Sequence, residues 1–470
     1  MLKRRLISFI FCLIVFSGGV VSSQSGTVIS VPVSNVKPQL QPKQVLLPGN
    51  IRPSSLSSPQ KPENLGSIKE KASKNIVTRK IYEMVIVPVD TTVNKDMGSD
   101  ESYRQFSGMR IRKIEIKRLN VFGADVDIPE LKSTAAQNIL NKTHVNTAER
   151  IIRKNLIFKT GDTLSPISLS DNERILRDLT FVYDARIRVV PVSENEADIL
   201  VITKDIYSLG GDYSPSGLKK GNFSVFETNL FGIGHALGIE IPYDNSASDS
   251  PGFGAKYTVD NIASSFINMD LFYLNGIGTR SYGFDLNRKF ISYNTKYAGG
   301  ISIHNISENV DNDINKNPEH FNLQDYWLAT SVLLNKESVT RLMIGARYTN
   351  NNVFTRPLVL PDTWYALQNY SLVLGSVALS KQRYHKAVLI HDYGRAEDIP
   401  QGGMMKVTAG LENNEFKRRT YAGSELSFGY SLPQSGYLYV STGLGAFINR
   451  KKTEQGILTA KFKYFSNLIP

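Results

Sequence analysis

The chain predicts a mainly β protein: a transmembrane antiparallel β-barrel of about 14–16 strands, preceded by a small α+β domain. Three observations carry this expectation. Residues 207–470 consist of short stretches in which apolar and polar residues alternate, divided by Gly, Asn, Asp and Ser clusters. Residues 109–206 instead mix helical and strand periodicities. The first residues read as an export signal, which places the product outside the cytoplasm.

The signal spans 1–23. Lys3, Arg4 and Arg5 precede the apolar run 6–16, and Val21 and Ser23 fit a small-residue cleavage site before Gln24. The run is shorter than the ~20 residues a membrane helix needs. The only cysteine, Cys12, lies inside it, so the mature chain is expected to have no disulfide, thiolate metal site or Cys nucleophile. Residues 24–108 read as a Pro- and Ser-rich periplasmic linker with one strand at 81–89 and loop at 90–107. Beyond the signal no run of about eighteen apolar residues occurs, so no membrane helix is expected. A formal charge of +12 favours anionic lipid headgroups as a partner. It forms no strong basic cluster, and nucleic acid is not an expected partner of an exported chain.

In 109–206, Ile114 and Ile116 alternate with Lys113, Glu115 and Lys117, a first strand. Ala148, Ile151, Ile152 and Leu156 form one helical stripe, with Thr147 or Asn146 as cap. After the Gly161-Asp162 turn, Ser168 can cap a second helix that turns Ile175, Leu176 and Leu179 inward. Ala185, Ile187 and Val189 alternate with Asp184, Arg186 and Arg188, a half-exposed strand. Ile199 to Ile202 is apolar on both faces, as a central strand should be. The predicted order is β-α-α-β-β.

The remainder is divided into strands near 222–230, 235–243, 252–260, 265–274, 280–289, 296–306, 324–334, 340–350, 370–380, 385–393, 403–412, 421–430, 436–447 and 456–466. In the strand at 421–430, for example, Leu426, Phe428, Tyr430 and Leu432 alternate with Ser427, Gly429 and Ser431. Period two gives each strand an apolar face for lipid and a polar face for a lumen.

The wording Leu156-Ile157-Phe158-Lys159-Thr160-Gly161-Asp162, then Leu176-Arg177-Asp178-Leu179 and Tyr183-Asp184-Ala185-Arg186-Ile187, resembles a POTRA (polypeptide-transport-associated) domain. Behind it, Asn229-Leu230-Phe231-Gly232-Ile233-Gly234 resembles the first hairpin of the BamA/TamA-type outer-membrane assembly superfamily, whose barrels are the bacterial surface-antigen type. The resemblance implies an outer-membrane protein, not an enzyme and without cofactor or metal, that inserts or translocates other polypeptides. Its implied partners are unfolded or nascent outer-membrane and secreted proteins, outer-membrane lipids and accessory periplasmic subunits. It implies client binding by strand addition at Asp184, Ala185, Arg186, Ile187, Arg188 and Val189. It implies a weakly closed seam at the first barrel strand, with Phe223, Val225, Glu227 and Asn229. Two features depart from the family. No Arg-Gly pair occurs, so its Arg-Gly-aromatic loop is missing, and the chain ends Asn467-Leu468-Ile469-Pro470 rather than on an aromatic strand. The expectation is that further C-terminal strands belong to the protein. The alternatives are a secretion pore of the two-partner type for one dedicated protein, a barrel enzyme, and a passive porin.

Other patterns point to structure rather than chemistry. Gly232, Gly234 and Gly238 have the wrong spacing for a dinucleotide loop and fit a hairpin turn. Asp311-x-Asp313-x-Asn315 opens like a calcium loop, but Lys316 and Asn322 replace the required Gly and Glu. His385 and His391 share a strand face, Asp392 takes the opposite one, and no GxSxG or HExxH occurs to supply a nucleophile or zinc site. Trp327, Trp364, Tyr370, Tyr437 and Tyr439 are expected to anchor the barrel at headgroup level. Arg450-Lys451-Lys452 reads as a loop.

Overall fold

The computed structural model describes residues 99–312, 315–388, 396–432, 436–450 and 452–466. The expected signal, the linker up to residue 98 with its strand at 81–89, Asp313, His391, Asp392, Lys451 and the end at 467–470 lie outside the described residues.

The α+β unit opens with a 3-10 turn, Glu101–Phe106, followed by β1 (Arg110–Leu119), α1 (Ala135–Asn141), α2 (Glu149–Lys154), α3 (Pro166–Arg177), β2 (Val182–Pro191) and β3 (Glu196–Asp205). The sheet order is β1-β3-β2, with β1 parallel and β2 antiparallel to β3. The doubly apolar β3 is central, as its sequence requires: Ile199, Val201 and Ile202 are fully buried. Ile111, Ile152, Leu169, Leu176, Phe181 and Ile187 pack with them or across the sheet from the helices.

Several local expectations are corrected. α1 is an extra helix, held by a Thr134/Gln137 capping box and burying no residue, so it carries no apolar stripe to read. Thr147 does not cap α2, because its N–H and hydroxyl both donate to Asp205 Oδ2, at 2.7 and 3.0 Å; the N-cap is Ala148. α3 starts at Pro166 with Ser165 as N-cap, which places Ser168 inside its first turn. Residues 101–106, expected as loop, wind into the 3-10 turn because Tyr103 and Phe106 join the core.

The second sheet has fourteen antiparallel strands. They are β4 (Leu209–Gly217), β5 (Lys220–Glu227), β6 (His235–Asp244), β7 (Phe253–Val259), β8 (Asn268–Gly276), β9 (Thr279–Arg288), β10 (Tyr297–Asn312), β11 (Asn315–Asn335), β12 (Thr340–Thr355), β13 (Tyr370–Val388), β14 (Ala396–Asn414), β15 (Arg418–Leu432), β16 (Gly436–Asn449) and β17 (Lys452–Phe465). Each strand pairs with its sequence neighbours, and among the described residues β4 and β17 are not joined. The expected strand number results from two cancelling errors. β4 has no counterpart among the expected strands because Gly210, Gly211, Pro215 and Gly217 break its alternation. Over the described residues 385–388 the predicted strand at 385–393 continues β13, because the polar Lys381, Gln382 and Arg383, which read as a break, pair in register with Gly403, Gly402 and Gln401.

The sheet has one enclosed face and one open face. On β15, Arg419 and Tyr421 are buried, whereas Leu426, Phe428 and Tyr430 stand about half exposed. Enclosed charges are paired: Arg419 with Glu412 at 2.5 Å, Lys406 with Glu425 at 2.7 Å and Arg347 with Asp325 at 2.5 Å. The enclosed face is not polar throughout. Leu372, Leu374, Tyr421 and Phe447 cluster on it, with the Arg419 guanidinium 4.2 Å above the Phe447 ring. Tyr437 is likewise buried, donating to the Pro400 carbonyl at 2.6 Å, so it does not face headgroups as expected. No helix among the described residues is long and apolar enough to cross a membrane.

Candidate functional site

β2 is an edge strand, so alternate residues turn their N–H and C=O away from β3. These are Ala185, Ile187 and Val189. At Ala185 and Ile187 every outward group is occupied by a side chain. Glu173 Oε1 accepts from Ile187 N–H at 2.7 Å, and the Tyr103 hydroxyl donates to Ile187 C=O at 2.9 Å. Arg177 Nη1 donates to Ala185 C=O at 3.0 Å, and Asp184 Oδ1 accepts from Ala185 N–H at 2.7 Å. The edge expected to be open is therefore closed over these two residues, because a bare row of backbone groups invites unwanted pairing. Val189, by contrast, has no such cap among the described residues. Arg186 and Arg188 lean away from the edge. Arg186 meets the Asp127 carboxylate at 2.8 Å, and Arg188 donates to the Asp127 carbonyl at 2.8 Å.

The cap is also an electrostatic unit. Burial pushes the Glu173 carboxyl up, but Arg177, Arg186 and Lys386 outweigh it and hold the group below its usual range. Burial and the Glu173 carboxylate push the Tyr103 phenol well up, so it stays a donor; its hydroxyl also reaches Glu173 Oε1 at 2.6 Å. Burial disfavours the Arg177 cation, but Asp398, Glu173 and Asp184 more than restore it.

Arg177 links this edge to the large sheet. Its Nε and Nη2 donate bidentately to Asp398 on β14, at 2.9 and 2.8 Å, and all three residues of the Glu173–Arg177–Asp398 chain have side chains 7% exposed or less. Around it the α+β unit grips one end of the sheet. Arg174 donates to the Ile291 carbonyl at 2.5 Å and lies 4.3 Å over the Tyr384 ring, and Asp171 accepts from Tyr293 N–H at 3.1 Å. Asn261 Nδ2 donates to Asn155 Oδ1 at 2.9 Å, and Ala148 N–H donates to the Gly232 carbonyl at 2.8 Å. Gly232 is required there: its φ is 72°, and a Cβ would lie 2.6 Å from the Asn146 carbonyl oxygen. A cavity of about 40 Å³ remains among Asp171, Arg174, Tyr293, Arg341 and Tyr384, room for one or two waters.

A second buried chain stands at the same junction. His144 Nε2 lies 3.2 Å from Asp205 Oδ2 and its Nδ1 lies 3.4 Å from the Ser208 hydroxyl. The Ser–His–Asp order resembles a nucleophilic triad. Ser208 is buried, however, and Asp205 is shared with Thr147, whose hydroxyl accepts from Asn229 Nδ2 at 2.8 Å. This arrangement ties the two sheets together.

Asp260, in the turn after β7, gives the junction a pH dependence. Burial and then the Asp270 carboxylate push its pKa up to about 6, against the Thr180 hydroxyl. The folded carboxyl thus holds a proton that the unfolded one, near 3.8, has released. Its contribution is complete below the unfolded value and declines as pH rises through the folded one. Asp260→Asn is expected to raise the melting temperature at about pH 7 and leave it unchanged at about pH 3.5, measured by thermal unfolding.

The predicted seam residues sit elsewhere than expected. Phe223, Val225 and Glu227 lie on β5, which has partners on both sides; Phe223 faces Tyr213 on β4 and Ile241 on β6. Asn229 is buried in the following turn, where its Oδ1 accepts from Gly234 N–H at 2.8 Å. The edge strands are β4 and β17. Neither Tyr103 nor Asp398 carried any sequence signal: both act across the fold, 84 and 221 residues from their partners.

No protein-family model matches this chain, and no curated protein matches it. Three similar solved structures are BamA from Haemophilus ducreyi lacking POTRA domains 1–3, CdiB from Escherichia coli and CdiB from Acinetobacter baumannii. The first is 14% identical over 76% of this chain and 85% of that one, with a TM-score of 0.29. The Escherichia coli CdiB is 11% identical over 84% and 78%, with a TM-score of 0.35. The Acinetobacter baumannii CdiB is 11% identical over 82% and 92%, with a TM-score of 0.25.

Proposed function

We propose that this chain is an outer-membrane β-barrel that inserts or translocates other polypeptides, with the α+β unit as a POTRA-like receptor on the periplasmic side. The observation that carries it is the fourteen-stranded antiparallel meander with an apolar open face, standing on a unit that ends in a strand edge; among the described residues its edge strands β4 and β17 are not joined. Unpaired backbone groups in lipid cost several kcal/mol each, so such edges are held only against another strand. A client strand is one such partner, and its own burial in the bilayer supplies the driving force; neither nucleotide nor bond chemistry is needed. The seam belongs to β4 rather than to Phe223, Val225 and Glu227. The receptor edge keeps Asp184 to Val189, with Val189 as its open entry.

Depletion of the protein, followed by quantitative proteomics of outer membranes, tests this. Loss of many barrel proteins together supports general assembly, loss of one exported protein supports dedicated secretion, and an unchanged membrane and secretome would sink both. Val189→Pro removes the outward N–H at the open position, where an edge tolerates proline. It is expected to weaken binding of an unfolded barrel polypeptide about tenfold while changing stability by less than ~1 kcal/mol. Ile187→Pro is the poorer test, since it also deletes the bond to Glu173.

A further inference from the structure

We propose that residues 99–106 are a strap that keeps the β2 edge shut, and that Arg177 transmits the opening of that edge to the β13–β14 pair; this rests on the client-receptor reading above. The cap on Ile187 C=O comes from Tyr103, which belongs to neither the sheet nor the helices of the α+β unit but to the turn preceding β1. The turn is pinned at both ends of its reach. Tyr103 holds β2 and Glu173, while the Ser99 hydroxyl donates to the Tyr384 carbonyl on β13 at 3.2 Å. Its outer side, at Arg104, faces solvent.

A strand adding along Ala185 to Val189 must donate to Ile187 C=O, the acceptor that the Tyr103 hydroxyl occupies. Client and strap therefore compete for one atom, and docking at Val189 can proceed inward only as Tyr103 leaves the Ile187 C=O and the Glu173 carboxylate that it orients leaves the Ile187 N–H. The next acceptor is Ala185 C=O, held by Arg177. A client N–H that takes it removes one of the contacts that orient the guanidinium on Asp398. Both consequences converge on neighbouring strands, since Tyr384 lies on β13 and Asp398 on β14. The client that fits is an extended polypeptide carrying a backbone N–H opposite Ile187, which excludes proline there.

Tyr103→Phe deletes the hydroxyl and keeps the buried ring. The full chain in phospholipid vesicles is measured by hydrogen exchange with mass spectrometry, with and without a fluorescein-labelled barrel polypeptide diluted from urea. In the variant, exchange at Ile187 is expected to speed about tenfold, because its N–H bonds the Glu173 Oε1 that the Tyr103 hydroxyl also holds, and the polypeptide to bind about five- to tenfold tighter. Unchanged exchange at 185–189, with native exchange in β3, would overturn the strap whatever the client does. In the wild type, adding the polypeptide is expected to speed exchange at 382–387; binding without that change would overturn the relay through Arg177. Faster exchange in Tyr103→Phe together with no polypeptide binding by either form would leave the strap standing and sink the client-receptor reading instead.

Discussion

Arg177→Ala is expected to cost the α+β unit and its junction about 3–5 kcal/mol, the range for breaking a buried ion pair from one side. The physical reason is what remains behind. Glu173 and Asp398 are left as carboxylates in an enclosed site, with Asp184 nearby and Ala185 C=O unpaired. Coulomb attraction to the guanidinium is the largest of the three cationic contributions, with Arg186 and Lys386, that hold the Glu173 carboxyl below its usual range despite burial. Without it Glu173 keeps only Arg186 and Lys386 against its burial, and the enclosed site must draw in water. Urea unfolding of the α+β unit, followed by hydrogen exchange in β3, checks this. A loss under ~1 kcal/mol would mean that the pair is solvated and worth no more than a surface bridge. Asp398→Ala should cost less, because Arg177 keeps Glu173 and the Ala185 carbonyl as partners.

On the outer-membrane reading proposed above, Leu426→Arg is expected to destabilise the membrane-inserted form by about 2–4 kcal/mol, the cost of a guanidinium on a lipid-facing strand away from its ends, since Leu426 stands near the middle of β15. Leu426 stands on the open face of β15 between Met405 and Thr442, beside the exposed Phe428. Ser427→Arg, one residue on, points to the enclosed face and is expected to change stability by less than ~1 kcal/mol, since paired charges such as Lys406 and Glu425 already line it. Folding titrations into phospholipid vesicles read both. Equal effects at Leu426 and Ser427 would overturn the assignment of the open face to lipid, and with it the outer-membrane reading.

The alternating strands were legible because a side-chain period of two survives wherever one face is apolar. Thirteen of the fourteen strand positions read from the sequence fall on observed strands, and the fourteenth failed for a local reason: β13 has a charged stretch at Lys381 to Arg383 that belongs to the ladder. β4 was illegible because three glycines and a proline leave it little pattern of either kind. The β3 centre of the small sheet was legible from the doubly apolar run 199–202, and Ile175 and Leu176 from their helical spacing. The candidate site was half legible. The strand from Asp184 to Val189 was found, and its place at the edge came from the resemblance rather than from its residues.

What closes that edge could not be read. Tyr103 sits in a segment whose composition is that of a loop, and Asp398 in a strand of ordinary alternation. Periodicity reports which way a side chain faces along its own element, so the amino-acid order was sufficient for strand type and for the apolar open face of the alternating strands, but not for the inward turn of Tyr437. A cap made by Tyr103, Glu173 and Arg177 on β2, and a clamp from Arg177 to Asp398, depend on which elements meet in space. Their contacts span 8 to 221 residues and follow no period, so they exist only once both sheets have packed.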